Sequence, residues 1–427
     1  MRLGGRLAAA IEILDDMTRR HRPAADALKD WGLSHRFAGS ADRAAIGNIV
    51  YDALRRRRSA SWLLQDEGSR AQAFGALLLH GHSPASLAQA LDGDRFAPAP
   101  LSDAERAAFA ARDLAAAPAV VRGDLPDWCA PLFEAAFGMD WADEAAALSD
   151  RPPLDLRVNT LKADRAAVLA ELSEAHPAEA PFLPEAIRIA AIQGDGRHPN
   201  VQAEPAFRKG WFEVQDLGSQ MVARLAGAAS GTQVLDYCAG AGGKTLSMSA
   251  AMQNTGQIYA YDSEKVRLAP IFDRLERAGC RNVQVVSRAT ELDPLAGHCD
   301  LVLVDAPCTG SGTWRRRPDA KWRLSDRQLA ARQAEQSAIL DKAARFVKPG
   351  GRLAYVTCSV FDGENGDQIA AFLARATGFA PVDHHALWRD GFGTETQAVR
   401  IDRDAGIRLT PLRTGTDGFY LAVLRRS

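Results

Sequence analysis

From about residue 216 onward, short apolar runs (QVLDY, QIYAY, VQVV, LVLVDA, RLAYVTC) alternate with stretches whose apolar residues recur at helical spacing. Such runs are strands buried on both faces, and parallel neighbours of this kind need a helical crossover between them. The pattern predicts an α/β unit over 216–427, a doubly wound parallel sheet with helices on both faces. In such sheets ligands bind outside the carboxyl ends of the strands, so the residues that close each run are the ones to read for chemistry.

The rest of the chain reads differently. Residues 1–92 repeat apolar positions at helical spacing (Leu7, Ile11, Leu14; Ile46, Ile49, Val50, Leu54) and predict an all-helical unit. Residues 93–125, punctuated by Pro and rich in Ala, predict a linker, and 126–215 mix strand-like DLRVNTL and AIRIAAI with helical ADRAAVLAELSEA, predicting a small α+β domain. Lys plus Arg (52) nearly equals Asp plus Glu (53), so an anionic partner must be held by local patches. The Arg55–Arg58 run is one such patch, either a polyanion contact or a solvated helix face. Six cysteines without a C-x-x-C predict free thiols in a reducing compartment, with neither a disulfide scaffold nor a metal site. The early charges and the lack of any apolar run near twenty residues predict a cytoplasmic protein without a membrane span.

Four strand ends carry chemistry. The first runs into Cys238-Ala239-Gly240-Ala241-Gly242-Gly243-Lys244-Thr245, where glycines let backbone approach a ligand just before a helix begins. A phosphate-binding P-loop is excluded, because that motif needs Gly at position 238. The second run ends at Asp262, spaced as an acid that hydrogen-bonds ribose hydroxyls, with a helix N-cap as the competing role. The fourth and fifth end in Asp305-Ala306-Pro307-Cys308 and Thr357-Cys358-Ser359, which brings two thiols to one crevice. Cys129, Cys280 and Cys299 read as inert packing thiols. After Cys308 come seven basic residues from Arg315 to Arg332, interleaved with Trp314 and Trp322, a segment suited to phosphates and stacked bases.

VLDYCAGAGGKT, DAPCTGSGTWRRRPDAKW and VTCSVFDGENGDQI resemble the core motifs of the Sun/Nop-type (RsmB-like) RNA cytosine-5 methyltransferases, and LRVNTLK, GWFEVQDLGSQ and the closing DGFYLAVLRR extend the resemblance over about 126–427. The helical leader resembles the NusB-like RNA-binding domain that precedes this core in bacterial members. The resemblance implies a Rossmann-like class I methyltransferase domain, an RRM-like α+β domain before it, S-adenosylmethionine as cofactor, and RNA, namely small-subunit ribosomal RNA, as partner of a monomer. It implies that Cys358 is the nucleophile, that Cys308 assists release of the methylated base, and that Asp305 lies near both cofactor and cytosine. It also implies that Cys238 to Lys244, Asp262 and Asp305 bind the cofactor, with Lys244 at its junction with the base. Cytosine carbon 5 is too electron-poor to attack a methyl sulfonium unaided, so a thiolate must first add at carbon 6.

The chain departs from the family pattern twice. Ala241 stands where the family turn has Pro, which predicts a looser turn. Val286-Ser287-Arg288 stands where the family has an acid for the adenine amino group, so either Ser287 or a backbone group replaces it or cofactor affinity is reduced. A non-catalytic RNA-binding assembly factor is the alternative that these departures motivate. A DNA cytosine-5 methyltransferase is another, but there the Pro-Cys thiol is the nucleophile and Cys358 would have no role.

Overall fold

The computed structural model describes residues 1–192, 194, 196–393, 399–402 and 405–427, which fall into two compact units. The first comprises Met1–Pro152, the described part of Ala191–His198, and Trp314–Leu324. Its helices include Leu3–Arg20, Ser40–Arg55, Arg57–Leu64 and Ser69–Leu79, and Leu7, Ile13, Ile46, Val50 and Phe74 from them form one apolar core. The region read as a linker holds the helix Asp103–Ala111, started by a reciprocal Ser102–Glu105 capping box. The helices Ala130–Phe137 and Trp141–Ala147 also belong to this unit, so the first strand begins only at Leu154.

The second unit carries two sheets. The smaller contains β1 (Leu154–Val158), β2 (Ala178–Glu179), β3 (Ala186–Ile189) and β4 (Phe212–Val214), all antiparallel in the order β2-β3-β1-β4. The larger has nine strands among the described residues: β5 (Gln233–Asp236), β6 (Gln257–Tyr261), β7 (Val283–Val286), β8 (Cys299–Asp305), β9 (Val347–Thr357), β10 (Phe379–Pro381), β11 (Arg400–Asp402), β12 (Gly406–Leu409) and β13 (Phe419–Arg426). Their order is β11-β12-β13-β9-β8-β5-β6-β7, with β10 beside β13; β5 to β9 are parallel, as expected, and β10 to β13 add an antiparallel edge. The chain winds from β5 out through β6 and β7, then returns to β8 on the other flank of β5. That reversal opens a crevice at the carboxyl ends of β5 and β8.

The two sheets share one framework. Glu213 of β4 pairs with Arg274 (2.9 Å) and Arg277 (2.5 Å) on the helix Ile271–Ala278 of the larger domain. Asn159 donates to the Gly210 and Ala278 carbonyls, both at 2.8 Å. Gly210 has φ +77°, and a Cβ there would stand 1.9 Å from the Arg277 carbonyl oxygen, so only glycine permits this approach.

Candidate active site

β5 delivers the glycine turn to the crevice. Gly240 (φ +49°) and Gly242 (φ +83°) take left-handed conformations, and a Cβ on Gly242 would meet Ile271 Cγ1 at 2.5 Å. Gly242 also caps the helix Gly243–Ala251 without a side-chain partner, leaving its first amides available. The turn lacking Pro is clamped instead: Arg274 donates to the Ala241 carbonyl (2.7 Å) while held by Glu213. Sequence reading missed this clamp, because Arg274 lies 33 residues from Ala241 and 61 from Glu213.

Asp262, just past β6, is 2% exposed. It accepts the Gly240 amide (2.9 Å) on one oxygen and the Glu264 amide (2.9 Å) on the other. Asp262 is not the N-cap of the helix Lys265–Leu268, which is Glu264, and each of its oxygens keeps a second acceptor direction. It orders the glycine turn and the next helical turn. Cys238 is 8% exposed, and burial pushes its thiol well above the ordinary range, as befits a packing residue of the turn.

Asp236, at the end of β5, was not singled out from the sequence. It accepts from the Thr245 hydroxyl (2.7 Å) through one oxygen, while the other is buried without a partner. Burial pushes its carboxyl up to about 7, against the Thr245 bond, with Asp305 and Asp262 adding repulsion. Lys244 Nζ lies 2.6 Å from Asp305 Oδ2 and 5.4 Å from the Phe419 ring centroid. Three carboxylates thus face one crevice with Lys244, and with Arg267 at 3.8 Å from Asp262. An orphaned buried carboxylate oxygen, an acid-rich wall and a glycine cradle fit a cationic, nucleoside-bearing sulfonium.

The ends of β8 and β9 bring the predicted cysteines together, with Cys308 Sγ 3.4 Å from Cys358 Sγ. The bond with Cys358, followed by burial, pushes the Cys308 thiol well above its ordinary range. The loop after Cys308 docks on the loop after Cys358: the Gly312 amide donates to the Cys358 carbonyl (3.0 Å), and the Ser311 hydroxyl accepts the Val360 amide (2.9 Å). Gly312 in turn accepts the Gly418 amide (2.8 Å) from the edge hairpin, where any Cβ on Gly312 would strike Gly418.

Comparison with known proteins supplies the family. Residues 224–425 match the 16S rRNA methyltransferase RsmB/F family, and residues 125–193 match the ferredoxin-like domain of RsmF/B-like methyltransferases. Ribosomal RNA small subunit methyltransferase B of Sodalis glossinidius is 35% identical over 329 residues, covering 76% of this chain and 68% of that protein. This chain belongs to the RsmB/F family. The same-named protein of Klebsiella pneumoniae subsp. pneumoniae is 36% identical over 254 residues, 58% of this chain, and the match spans 57% of its length. Among solved structures, PH0851 has the same fold, with a TM-score of 0.72 and 24% identity over 100% of both chains. A methyltransferase homolog protein from Pyrococcus horikoshii has a TM-score of 0.59 and 26% identity, covering 72% of this chain and 98% of its own. The cofactor of the RsmB/F family is S-adenosylmethionine.

Two features depart from the sequence reading of this RsmB/F chain. The basic segment after Cys308 is not an open phosphate-binding strip, because Trp314 (1% exposed), Arg315 (4%) and Lys321 (1%) are buried in the helical unit. Within that unit Arg55 Nε donates to the Arg315 carbonyl (2.9 Å), Trp322 Nε1 to the Leu54 carbonyl (2.7 Å), and Lys321 Nζ to Ser149 Oγ (3.1 Å). Of the seven bases, Arg317, Arg323, Arg327 and Arg332 are exposed, and two of these pair locally, Arg323 with Asp319 and Arg332 with Glu335. The Arg55–Arg58 run is likewise committed: Arg55 pairs with Asp52 (2.9 Å), Arg56 with Asp150 (2.5 Å) and Arg58 with Asp127 (2.6 Å), while Arg57 lies over the Trp322 ring. It is therefore neither a solvated face nor a free polyanion patch.

After β7, where the family acid is missing, Glu291 folds back to accept from Ser287 and from Arg288 Nε (2.6 Å). Among the described residues no helix is long and apolar enough to cross a membrane, and no three His, Cys, Asp or Glu side chains cluster to hold a metal.

Proposed function

We propose that this chain methylates carbon 5 of a cytidine in small-subunit ribosomal RNA, acting as a monomer in the cytoplasm. The observation that carries the reading is the pair of thiols 3.4 Å apart at adjacent strand ends. A single thiol suffices to add to a pyrimidine; a second beside it supplies a separate group for release. The glycine turn, Asp262, Asp236 and the Lys244–Asp305 pair are the residues that would hold S-adenosylmethionine. That cofactor, when bound, offers an electrophilic methyl group to carbon 5.

The chain's own residues do the rest. Cys358, as thiolate, forms a bond from Sγ to cytosine carbon 6, and the electrons of the 5,6 double bond move toward carbon 5, which becomes enamine-like. Asp305, a third of whose side chain is open, meets the polar edge of the ring through the oxygen that Lys244 does not occupy. After alkylation the carbon 5 proton passes to solvent water as base. Its bonding pair rebuilds the 5,6 double bond, and the carbon 6–sulfur bond breaks to return Cys358 as thiolate, with Cys308 assisting. Reaching a base in folded RNA requires that it be turned out of its stack.

A bisulfite map of total RNA from cells with and without the gene tests the proposal. One small-subunit cytosine should lose protection when the gene is absent. An unchanged map, together with no methyl incorporation into undermethylated ribosomal RNA in vitro, overturns it in favour of a binding factor.

A further inference from the structure

Beside the two thiol loops lies a buried acid that the mechanism does not use. Glu364, in the turn Asp362–Glu364 after the second cysteine loop, is 0% exposed, and among the described residues no Lys or Arg pairs with it. Instead it collects four donors. Oε1 accepts the Thr309 amide (2.8 Å) and Gln336 Nε2 (3.0 Å); Oε2 accepts the Thr309 hydroxyl (2.5 Å) and the Ser359 hydroxyl (2.5 Å). Thr309 follows Cys308 and Ser359 follows Cys358, so a single carboxylate holds the residue after each thiol.

Two neighbours complete the frame. Gln336 Nε2 also donates to the Pro307 carbonyl (2.9 Å), the residue before Cys308. Asn365 accepts from the Thr357 hydroxyl (2.5 Å) and donates to the Ser359 carbonyl (2.9 Å), bracketing Cys358. A buried carboxylate without a cation costs several kcal/mol unless its lone pairs are filled, so hydroxyl donors from two separate loops are what make it tolerable here. Apolar packing could join two loops at lower cost, but it would not fix the direction of each loop.

We propose that Glu364 is the positioning residue of the cysteine pair, fixing the Cys308 loop against the Cys358 loop so that release follows methyl transfer. This rests on the methyltransferase reading above. The two sides depend on it unequally. Cys358 keeps Asn365 on both flanks and the Gly312 amide on its carbonyl, whereas Thr309 places both its amide and its hydroxyl on Glu364. Loss of the carboxylate therefore frees Cys308 more than Cys358, and the step that suffers most is release.

The test uses Glu364→Gln in the full chain, with melting temperature and S-adenosylmethionine affinity as folding controls. The first readout needs no RNA: dibromobimane, which fluoresces strongly only when both of its arms are alkylated, should bridge Cys308 and Cys358 about tenfold more slowly in the variant, as expected for losing hydrogen bonds to a charged group. The second is a denaturing gel with RNA and cofactor, on which Glu364→Gln should accumulate protein–RNA adduct while single-turnover methyl transfer falls less than release does. Unchanged bridging with unchanged partition between adduct and free product overturns the proposal. If Glu364→Gln fails to fold, Thr309→Val keeps the carboxylate and removes only the hydroxyl tether on the Cys308 side; slowed bridging and extra adduct in that variant support the proposal, and wild-type behaviour overturns it. Slowed bridging in a protein that methylates no RNA supports the geometry while removing the cytosine reading, so the two failures are told apart.

Discussion

The charge cluster of the helical unit and the acids at the crevice of the catalytic unit are treated differently. In the helical unit, Asp52 pairs with Arg55 and Arg151, Asp124 accepts from the Ser59 amide (2.9 Å) and hydroxyl (2.7 Å) with Arg56 at 3.7 Å, and Lys321 reaches Ser149 and the Arg55 carbonyl. Those six charged side chains all have partners inside the unit. In the catalytic unit, Asp236 keeps an oxygen without a partner, and Asp305 offers only one oxygen to Lys244. A saturated network specifies a fold, whereas an unsaturated one is shaped for something that has yet to arrive. The first cluster spends its hydrogen bonds on the fold, whereas Asp305, a third of whose side chain is open, keeps one oxygen off Lys244.

The largest effect should come from the thiols, which sharpen the catalytic half of that contrast. Cys358→Ala should abolish methyl transfer, while Cys308→Ala should leave a covalent protein–RNA adduct, because a base methylated but not released stays on Cys358. Denaturing gels of each variant with RNA and cofactor decide it. An adduct with Cys358→Ala instead would exchange the two roles.

Next comes Lys321, through stability rather than activity. Burial, opposed by Asp124 and reinforced by Arg56 and Arg55, lowers its ammonium to about 7 from an ordinary 10.5. Between those values the unfolded chain holds a proton that the native chain lacks, so native stability rises with pH over that window and is flat below it. Lys321→Met should remove the rise, which is up to about 1.4 kcal/mol per pH unit. Urea melts at pH 7, 8 and 9 measure it. An unchanged slope would mean that the network holds Lys321 charged, and the cluster would then be an ionic frame throughout.

Asp262→Ala should weaken S-adenosylmethionine binding by about 1.5–3 kcal/mol, roughly tenfold to a hundredfold, the cost of losing a hydrogen bond to a charged group. Because Asp262 also holds the Gly240 and Glu264 amides, part of the loss should appear as a lower melting temperature of the free protein. Calorimetry and thermal melts on one sample separate the two. Unchanged affinity with a lowered melting temperature would mean that Asp262 only orders the two turns it holds.

What the sequence made legible follows from how far apart the interacting residues lie. The parallel sheet, the glycine turn and the meeting of Cys308 with Cys358 were readable because strand ends and fold topology bring them together whatever else happens. Glu364 was not readable. A Glu in a Gly-flanked turn looks solvated, and nothing local reveals that Thr309, 55 residues earlier, will donate to it. The fate of Lys321 and the arginine run was hidden for the same reason, since Arg55 and the Arg315 carbonyl are 260 residues apart. Basic residues beside tryptophans suggest nucleic acid until the acids that already pair with them are located. Pro307 and Ser359 could be read from their own motifs; their tethers could not.

The smallest effect concerns the arginine run itself, and it probes whether the saturated network is truly closed to outside partners. Arg58 pairs with Asp127, whose side chain is 73% exposed, and a pair of that kind contributes about 0–1 kcal/mol. Its neutralisation by Arg58→Gln should therefore barely change stability. A free phosphate-binding arginine would show itself in the salt dependence of RNA binding, each lost contact flattening the log–log slope by about 0.7–0.9. A paired arginine must first break its bond to Asp127, so the expected slope for Arg58→Gln is that of the wild type. Arg317 and Arg327, both exposed, supply the control, and neutralising either is expected to flatten the slope where Arg58→Gln does not. Filter binding over a salt series, with all three variants at matched protein concentration, resolves a difference of one contact. If Arg58→Gln flattened the slope, the pairing with Asp127 would have to yield to phosphate, and the charge cluster of the helical unit would not be closed to outside partners.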